Sequence, residues 1–237
     1  YKQEFNSEFQ LAIDRFVFLF SMKRVEKEFK ISNLTDVKQQ ALSWAQQFET
    51  ICWLDSNNHN QTYGDFETIL AFEEFTSIKT DSENAFEKLK EYQTLSEDYL
   101  FGYISYDVKN DTEILQSNNF DGLGFPDIFF FQPQKLIFFS DNALIFSYLN
   151  AVADEIEADF ESIQKLSPRA QSRGNKKDSN INIKLRIHKD EYHQKVEKLL
   201  EHIHRGDIYE ANFCQEFYAD DTTINPLQVY QDLNEIS

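Results

Sequence analysis

The stretch Asp127-Ile128-Phe129-Phe130-Phe131-Gln132-Pro133-Gln134-Lys135-Leu136-Ile137-Phe138-Phe139-Ser140-Asp141-Asn142-Ala143-Leu144-Ile145-Phe146 decides the architecture of this chain. It holds three apolar, aromatic-rich runs: Asp127–Phe131, Lys135–Phe139 and Ala143–Phe146. Pro133-Gln134 and Ser140-Asp141-Asn142 read as short turns between them, because proline presets its own φ and Asp and Asn side chains bond nearby backbone. Runs joined this tightly must pair antiparallel, since a parallel return needs a long crossover. The triple Phe129-Phe130-Phe131 reads as a strand buried on both faces; as an open edge it would invite aggregation.

Working outward, helices and further strands intersperse. Thr35 or Asp36 is expected to cap a helix whose apolar positions are Val37, Ala41, Trp44, Ala45 and Phe48, one helical face. Ile51–Leu54 reads as a short strand, residues 55–60 as a turn and Phe66–Phe75 as a second strand. Asp81 or Ser82 caps a helix striped by Ala85, Phe86, Leu89 and Tyr92. Leu100–Tyr106 is a strand in which Gly102 signals close backbone approach or a bulge. Ala151–Leu166 reads as a charged surface helix. Residues 167–180, rich in Ser, Arg, Asn and Lys, form the clearest linker. Beyond it come a strand over Ile181–Ile187, a helix over Lys189–Arg205 stopped by Gly206, and a last helix opened by Asn225-Pro226. This order lacks regular strand–helix alternation, so the fold class is α+β, antiparallel sheets packed with helices. The expected division is an extension over 1–21, an N-terminal α+β subdomain over 22–166, the linker, and an incomplete second domain from 181 to 237.

Composition narrows the partners. The 237 residues carry 41 acidic against 23 basic side chains, a net charge of −18, which repels phosphate backbones and anionic lipid surfaces. Nucleic acid is excluded as the default partner, and no apolar run reaches the ~20 residues of a membrane span. Without a secretory signal the chain is expected in the cytoplasm. Cys52 and Cys214 sit in apolar runs and read as buried thiols. No metal site is expected within the chain, and no glycine-rich phosphate loop or Gly-x-Ser-x-Gly elbow occurs in a sequence with only six glycines.

One segment carries more polarity than packing requires: Gly206-Asp207-Ile208-Tyr209-Glu210-Ala211-Asn212-Phe213-Cys214-Gln215-Glu216-Phe217. Read as a strand, it puts Ile208, Glu210, Asn212 and Cys214 on one face. Such a mixed face suits a cleft, where a few polar groups converge between apolar walls.

This segment resembles the Gly-Asp-Ile-Tyr-Gln-Val-Asn-Leu pattern of the chorismate-utilising enzymes, among them component I of the aminodeoxychorismate synthases. Trp53-Leu54-Asp55-Ser56 and Phe101-Gly102-Tyr103-Ile104-Ser105-Tyr106-Asp107 match further family strands in the right order, so the resemblance runs from about Met22 to the end. It implies amination of chorismate to 4-amino-4-deoxychorismate for para-aminobenzoate and folate synthesis. It also implies ammonia from a glutamine amidotransferase subunit, and Mg2+ on the substrate carboxylate with ligands outside this chain. The family's catalytic lysine and glutamate motifs have no counterpart here, so no catalytic residue is expected in this chain.

Residue by residue, the resemblance makes Asn212 and Glu210 the substrate-cleft candidates. Glu210 stands where aminating relatives have Gln and water-adding ones a basic Lys, which a carboxylate does not replace. Asn212 stands where anthranilate synthases usually have Val. Ser56, Tyr63, Gly64, Asp65 and Phe66 match positions that bind tryptophan in some relatives, although Asp65 and the Asn-rich turn depart from the pattern. Two alternatives stay open: anthranilate synthase component I, and a non-catalytic module that binds an amino acid or docks a subunit.

Overall fold

Residues Ile128–Ser140 form one strand of 13 residues, and Pro133 lies inside it. The turn expected at Pro133-Gln134 does not exist. Pro133 faces Glu74 of the neighbouring strand, the register slips between Glu74 and Thr76, and Glu73, just before the slip, takes a φ of 57°. A bulge is where a strand tolerates a residue without an N–H. Ser140-Asp141-Asn142 does turn the chain as expected, into the strand Ala143–Leu149.

The structure is a computed structural model that describes residues 23–57, 59, 66–115, 119–167 and 181–236. The chain divides into two compact units, residues 1–170 and 171–237. The first contains β1 (Arg24–Lys30), α1 (Leu34–Ala45), β2 (Ile51–Asp55), β3 (Thr68–Thr80), α2 (Ala85–Ser96), β4 (Phe101–Ile104), β5 (Ile128–Ser140), β6 (Ala143–Leu149) and α3 (Ile156–Lys165). Every pairing is antiparallel, in the order β1-β6-β5-β3-β2, with β4 also on β5. The mixed helix and antiparallel-sheet architecture follows the expectation.

β5 organises this sheet. β3 runs along one edge of it; on the other, β4 pairs with Ile128–Phe131 and β6 with Lys135–Ser140. Arg24 of β1 bridges the interval between β4 and β6. Its guanidinium donates to the Pro133 carbonyl at 2.6 Å, to the Ser147 carbonyl at 2.8 Å and through two bonds of 2.8 Å to Asp98. Gln132 Nε2 donates to the same carboxylate at 2.8 Å. β1 itself has no counterpart in the sequence reading: its alternating charges suit an edge strand and hide its period.

The main core lies where Val37, Ala41, Trp44 and Ala45 of α1 and Ile156 and Ile163 of α3 meet Leu70, Phe72, Ile137, Phe139, Leu144, Phe146 and Tyr148 of the sheet. Each such large side chain contributes about 1.5–3 kcal/mol through burial. α3 is a charged surface helix, as expected, that packs on the sheet through Ile156 and Ile163, and a 3-10 segment, Asn150–Glu155, precedes it. Ile128 joins Ala85 and Val108 in a second cluster with Leu89 and Phe130 packed on it, while Phe131 belongs to a third with Phe101, Leu136 and Phe138. The Phe129–Phe131 run thus feeds two separate clusters.

Three local expectations need correction. α1 is capped by Asn33, whose Oδ1 accepts from the Asp36 N–H at 3.2 Å, because Thr35 and Asp36 already lie within the helix. Neither Asp81 nor Ser82 caps α2; Asn84 holds that place with φ 50°, and the Phe86 N–H donates to Asp111 at 3.1 Å. β4 ends at Ile104, and Tyr106–Val108 turns as a 3-10 helix.

The second unit holds β7 (Lys184–Leu185), α4 (Lys189–Arg205), β8 (Phe217–Tyr218) and α5 (Pro226–Ile236). The strands expected over Ile181–Ile187 and Gly206–Phe217 shrink to this two-residue pair, since no other strand among the described residues lies beside them. Neither α4 nor α5 has a buried residue. No helix among the described residues is long and apolar enough to cross a membrane.

Candidate functional site

The polar segment begins at the end of α4. Gly206 takes φ 83°, a conformation that favours glycine. Its N–H donates to Ile203 O at 3.0 Å, and the Asp207 N–H reaches back to His202 O at 3.0 Å. These two bonds satisfy carbonyls that the helix end would leave open. Arg205 Nε donates to Asp207 Oδ2 at 2.8 Å, and His202 Nδ1 lies 2.8 Å from the same oxygen. The Arg205 bond first, and His202 second, hold the Asp207 carboxyl below its ordinary range. His202 is therefore a partner of the helix-ending turn.

Beyond the turn the segment is irregular. Glu210 and Asn212 are both exposed and form no hydrogen bond to another described residue. The alternation that would put them on one strand face does not apply, because residues 207–216 are not a strand. Phe213 anchors the segment to α4 through the Tyr192 ring, 5.3 Å away, and Gln215 Nε2 donates to Ile187 O at 3.1 Å. Downstream, Arg186 pairs with Glu216 at 2.7 and 3.0 Å and lies 3.8 Å over the Tyr218 ring. Cys214 is exposed, which corrects the buried thiol expected from its apolar neighbours. Cys52 is half-buried, and burial pushes its thiol pKa up, away from the reactive thiolate.

The second group of candidates lies in the first unit, at the end of β2 and the start of β3. Ser56 follows β2; its N–H donates to Glu67 O at 3.0 Å, while its Oγ is buried without a partner among the described residues. Phe66 packs its ring 4.6 Å from Phe138. Tyr63, Gly64 and Asp65 lie outside the described residues. Around Ser56 the structure adds residues the sequence reading had not singled out. Lys38 of α1 reaches Asp55 at 2.8 Å and Glu67 at 3.6 Å, and Trp53 Nε1 and Thr68 Oγ1 are also buried and unpartnered. Only Trp53, within the matched Trp53–Ser56 strand, carried a signal in the sequence. Lys38 and Thr68 become visible through strand register and helix packing.

Magnesium has no fitting donor set here: among the described residues no group of three His, Cys, Asp or Glu gathers to hold a metal.

A family model for chorismate binding enzymes matches residues 49–237. The chain belongs to the chorismate-binding enzyme family. The match spans most of its length, covers every candidate residue named from the sequence and reaches into both units. No curated protein matches the chain.

Proposed function

We propose that this chorismate-binding chain belongs to component I of an aminodeoxychorismate synthase, which aminates chorismate at C4 to give 4-amino-4-deoxychorismate. The observation that carries this reading is Asn212, an exposed carboxamide in the family-matched stretch just beyond the α4 turn. An amide both donates and accepts, so it can bond the hydroxyl and carboxylate oxygens of chorismate. Valine at this place, as in anthranilate synthases, offers neither. Glu210 supports amination over water addition, because the lysine that water-adding relatives carry at this place is absent. Ammonia comes from a glutamine amidotransferase partner, and magnesium binds through residues other than those described.

The test is a product assay on the protein carrying the family's lysine and glutamate motifs, supplied with chorismate and ammonium at saturating magnesium. 4-Amino-4-deoxychorismate, detected as para-aminobenzoate after a coupled lyase, is the expected product. Fluorescent anthranilate as the main product refutes the assignment. Asn212→Val is expected to raise KM for chorismate about tenfold, the order of one lost hydrogen bond to a charged group.

A second reading, an effector site for an amino acid at Ser56, is favoured by the buried hydroxyl that finds no partner among the described residues. Calorimetry with L-tryptophan tests it. Heat that vanishes in Ser56→Ala supports the reading, and equal heat in both chains counts against it.

A further inference from the structure

The segment that carries Glu210 and Asn212 is held at both ends by arginine. At its start, Arg205 donates to Asp207 Oδ2 from Nε at 2.8 Å and also from Nη2. His202 Nδ1 lies 2.8 Å from the same oxygen and 3.0 Å from Arg205 Nη2, which closes a three-residue cluster. At its end, Arg186 Nε and Nη2 take one oxygen each of Glu216, at 2.7 and 3.0 Å. The Arg186 N–H donates to Glu216 O at 3.1 Å, and the guanidinium lies 3.8 Å over the Tyr218 ring. Between these ends, residues 208–212 are exposed and belong to no helix or strand.

An isolated surface ion pair contributes little; the exceptions are an arginine that grips both carboxylate oxygens and a cluster of several charges. Arg186 with Glu216 is the first kind, and Arg205, His202 and Asp207 are the second. Charge points the same way. Chorismate is a dianion, and Asp207, Glu210 and Glu216 would repel it on a chain of net charge −18. The two arginines offset two of these three carboxylates. We propose that Arg186, and Arg205 with His202, are positioning residues for chorismate binding. They act through Glu216 and Asp207, fixing the two ends of the segment so that Glu210 and Asn212 are presented in one place. This role rests on the chorismate reading of Asn212 and extends it to residues outside the cleft. A segment already held in its binding form loses less freedom when the substrate arrives, so the arginines act on KM and leave kcat alone.

The experiment is steady-state kinetics on the protein carrying the family's lysine and glutamate motifs. Arg186→Met, Arg186→Lys, Arg205→Met and the double Met variant are compared with wild type, with a thermal melt of each. Each single Met variant is expected to raise KM for chorismate about fivefold, the upper end for an exposed pair, with kcat unchanged. Arg186→Lys keeps the charge but neither the two-oxygen grip nor the ring stacking, and is expected to recover only part of the loss. Because both ends hold one segment, the double variant is expected to fall well short of the ~25-fold rise of independent sites. Melts are expected to stay within about 2 °C of wild type, as for other surface substitutions. Full recovery by Arg186→Lys overturns the clamp in favour of charge alone. A fall in kcat equal to that in kcat/KM, a melt several degrees lower, or a fully multiplicative double variant overturns it as well. Unchanged KM in the arginine variants beside a raised KM in Asn212→Val overturns the clamp and leaves the cleft reading standing. Unchanged KM in Asn212→Val too overturns both.

Discussion

Gly102 shows how much a single residue can disclose. A lone glycine in an apolar strand announced close approach, and a Cβ built there would stand 1.9 Å from Phe129 O. Gly102→Ala must therefore push β4 off β5, and we expect a loss of at least about 2 kcal/mol in urea denaturation, the scale of overpacking. A variant within 0.5 kcal/mol of wild type, on the order of an ordinary surface substitution, would refute the close approach. The α1 cap was harder to read, because Asn33, Thr35 and Asp36 are all good capping residues and only backbone geometry chooses among them. Asn33→Ala is expected to cost about 1 kcal/mol, and Thr35→Ala much less; equal losses would contradict the observed cap. Asn212 and Glu210 were legible as candidates by type alone. Their exposure was not, since it depends on whether a partner strand exists, and single residues do not encode that.

Among the elements, β5 was half legible: its apolar runs were plain, but Pro133 looked like a break. What the sequence hid is the bulge in β3, three elements away in chain order, that lets a proline stay in the ladder. The same bulge serves Lys135, whose side chain is 2% exposed and whose Nζ meets Glu155 at 2.6 Å, Glu73 at 2.9 Å and Asp159 at 3.0 Å. Tyr148 OH donates to Asp159 at 2.9 Å, so β3, β5, β6 and α3 meet in one charged knot. Burial opposes the Lys135 charge, but the bonds to Glu155, Glu73 and Asp159 outweigh it and hold the amine above its ordinary range. Burial first, then Asp159, raises the Tyr148 hydroxyl. Asp159 itself is raised, since burial exceeds what Lys135 and Tyr148 return to it. Both the lysine and the tyrosine keep their protons longer in the fold than in the unfolded chain. Their stabilisation is complete below their unfolded values, 10.5 and 10.0, and is lost as pH rises beyond them. Stability is expected to fall by about 1.4 kcal/mol per pH unit for each group above pH ~10.5. In Tyr148→Phe the slope should be shallower. An unchanged urea midpoint between pH 9 and 11, values bracketing the ordinary lysine and tyrosine range, would sink this account. Lys135→Met leaves three carboxylates facing one another and is expected to cost on the order of 3 kcal/mol.

At the scale of the molecule, acidity and topology act together. A net charge of −18 works against compaction, so added salt should stabilise the fold. We expect the melting temperature to rise by several degrees between low salt and about 0.5 M NaCl, where screening acts over a few ångströms; a fall would show that the surface ion pairs dominate. The mixed architecture was readable from turn spacing, whereas the placement of β1 was not, because its partner β6 lies far along the chain. That distance bears on synthesis. Arg24 is 123 positions from Ser147, and its other partners, Asp98 and Pro133, also come late. At roughly 5–20 residues per second, the N-terminal strand emerges from the ribosome on the order of ten seconds before its place in the sheet exists. Five of its seven residues, Arg24, Glu26, Lys27, Glu28 and Lys30, are charged. That keeps the waiting strand soluble while the phenylalanine-rich strands behind it are still being made, and makes the earliest of the described strands one of the last to dock.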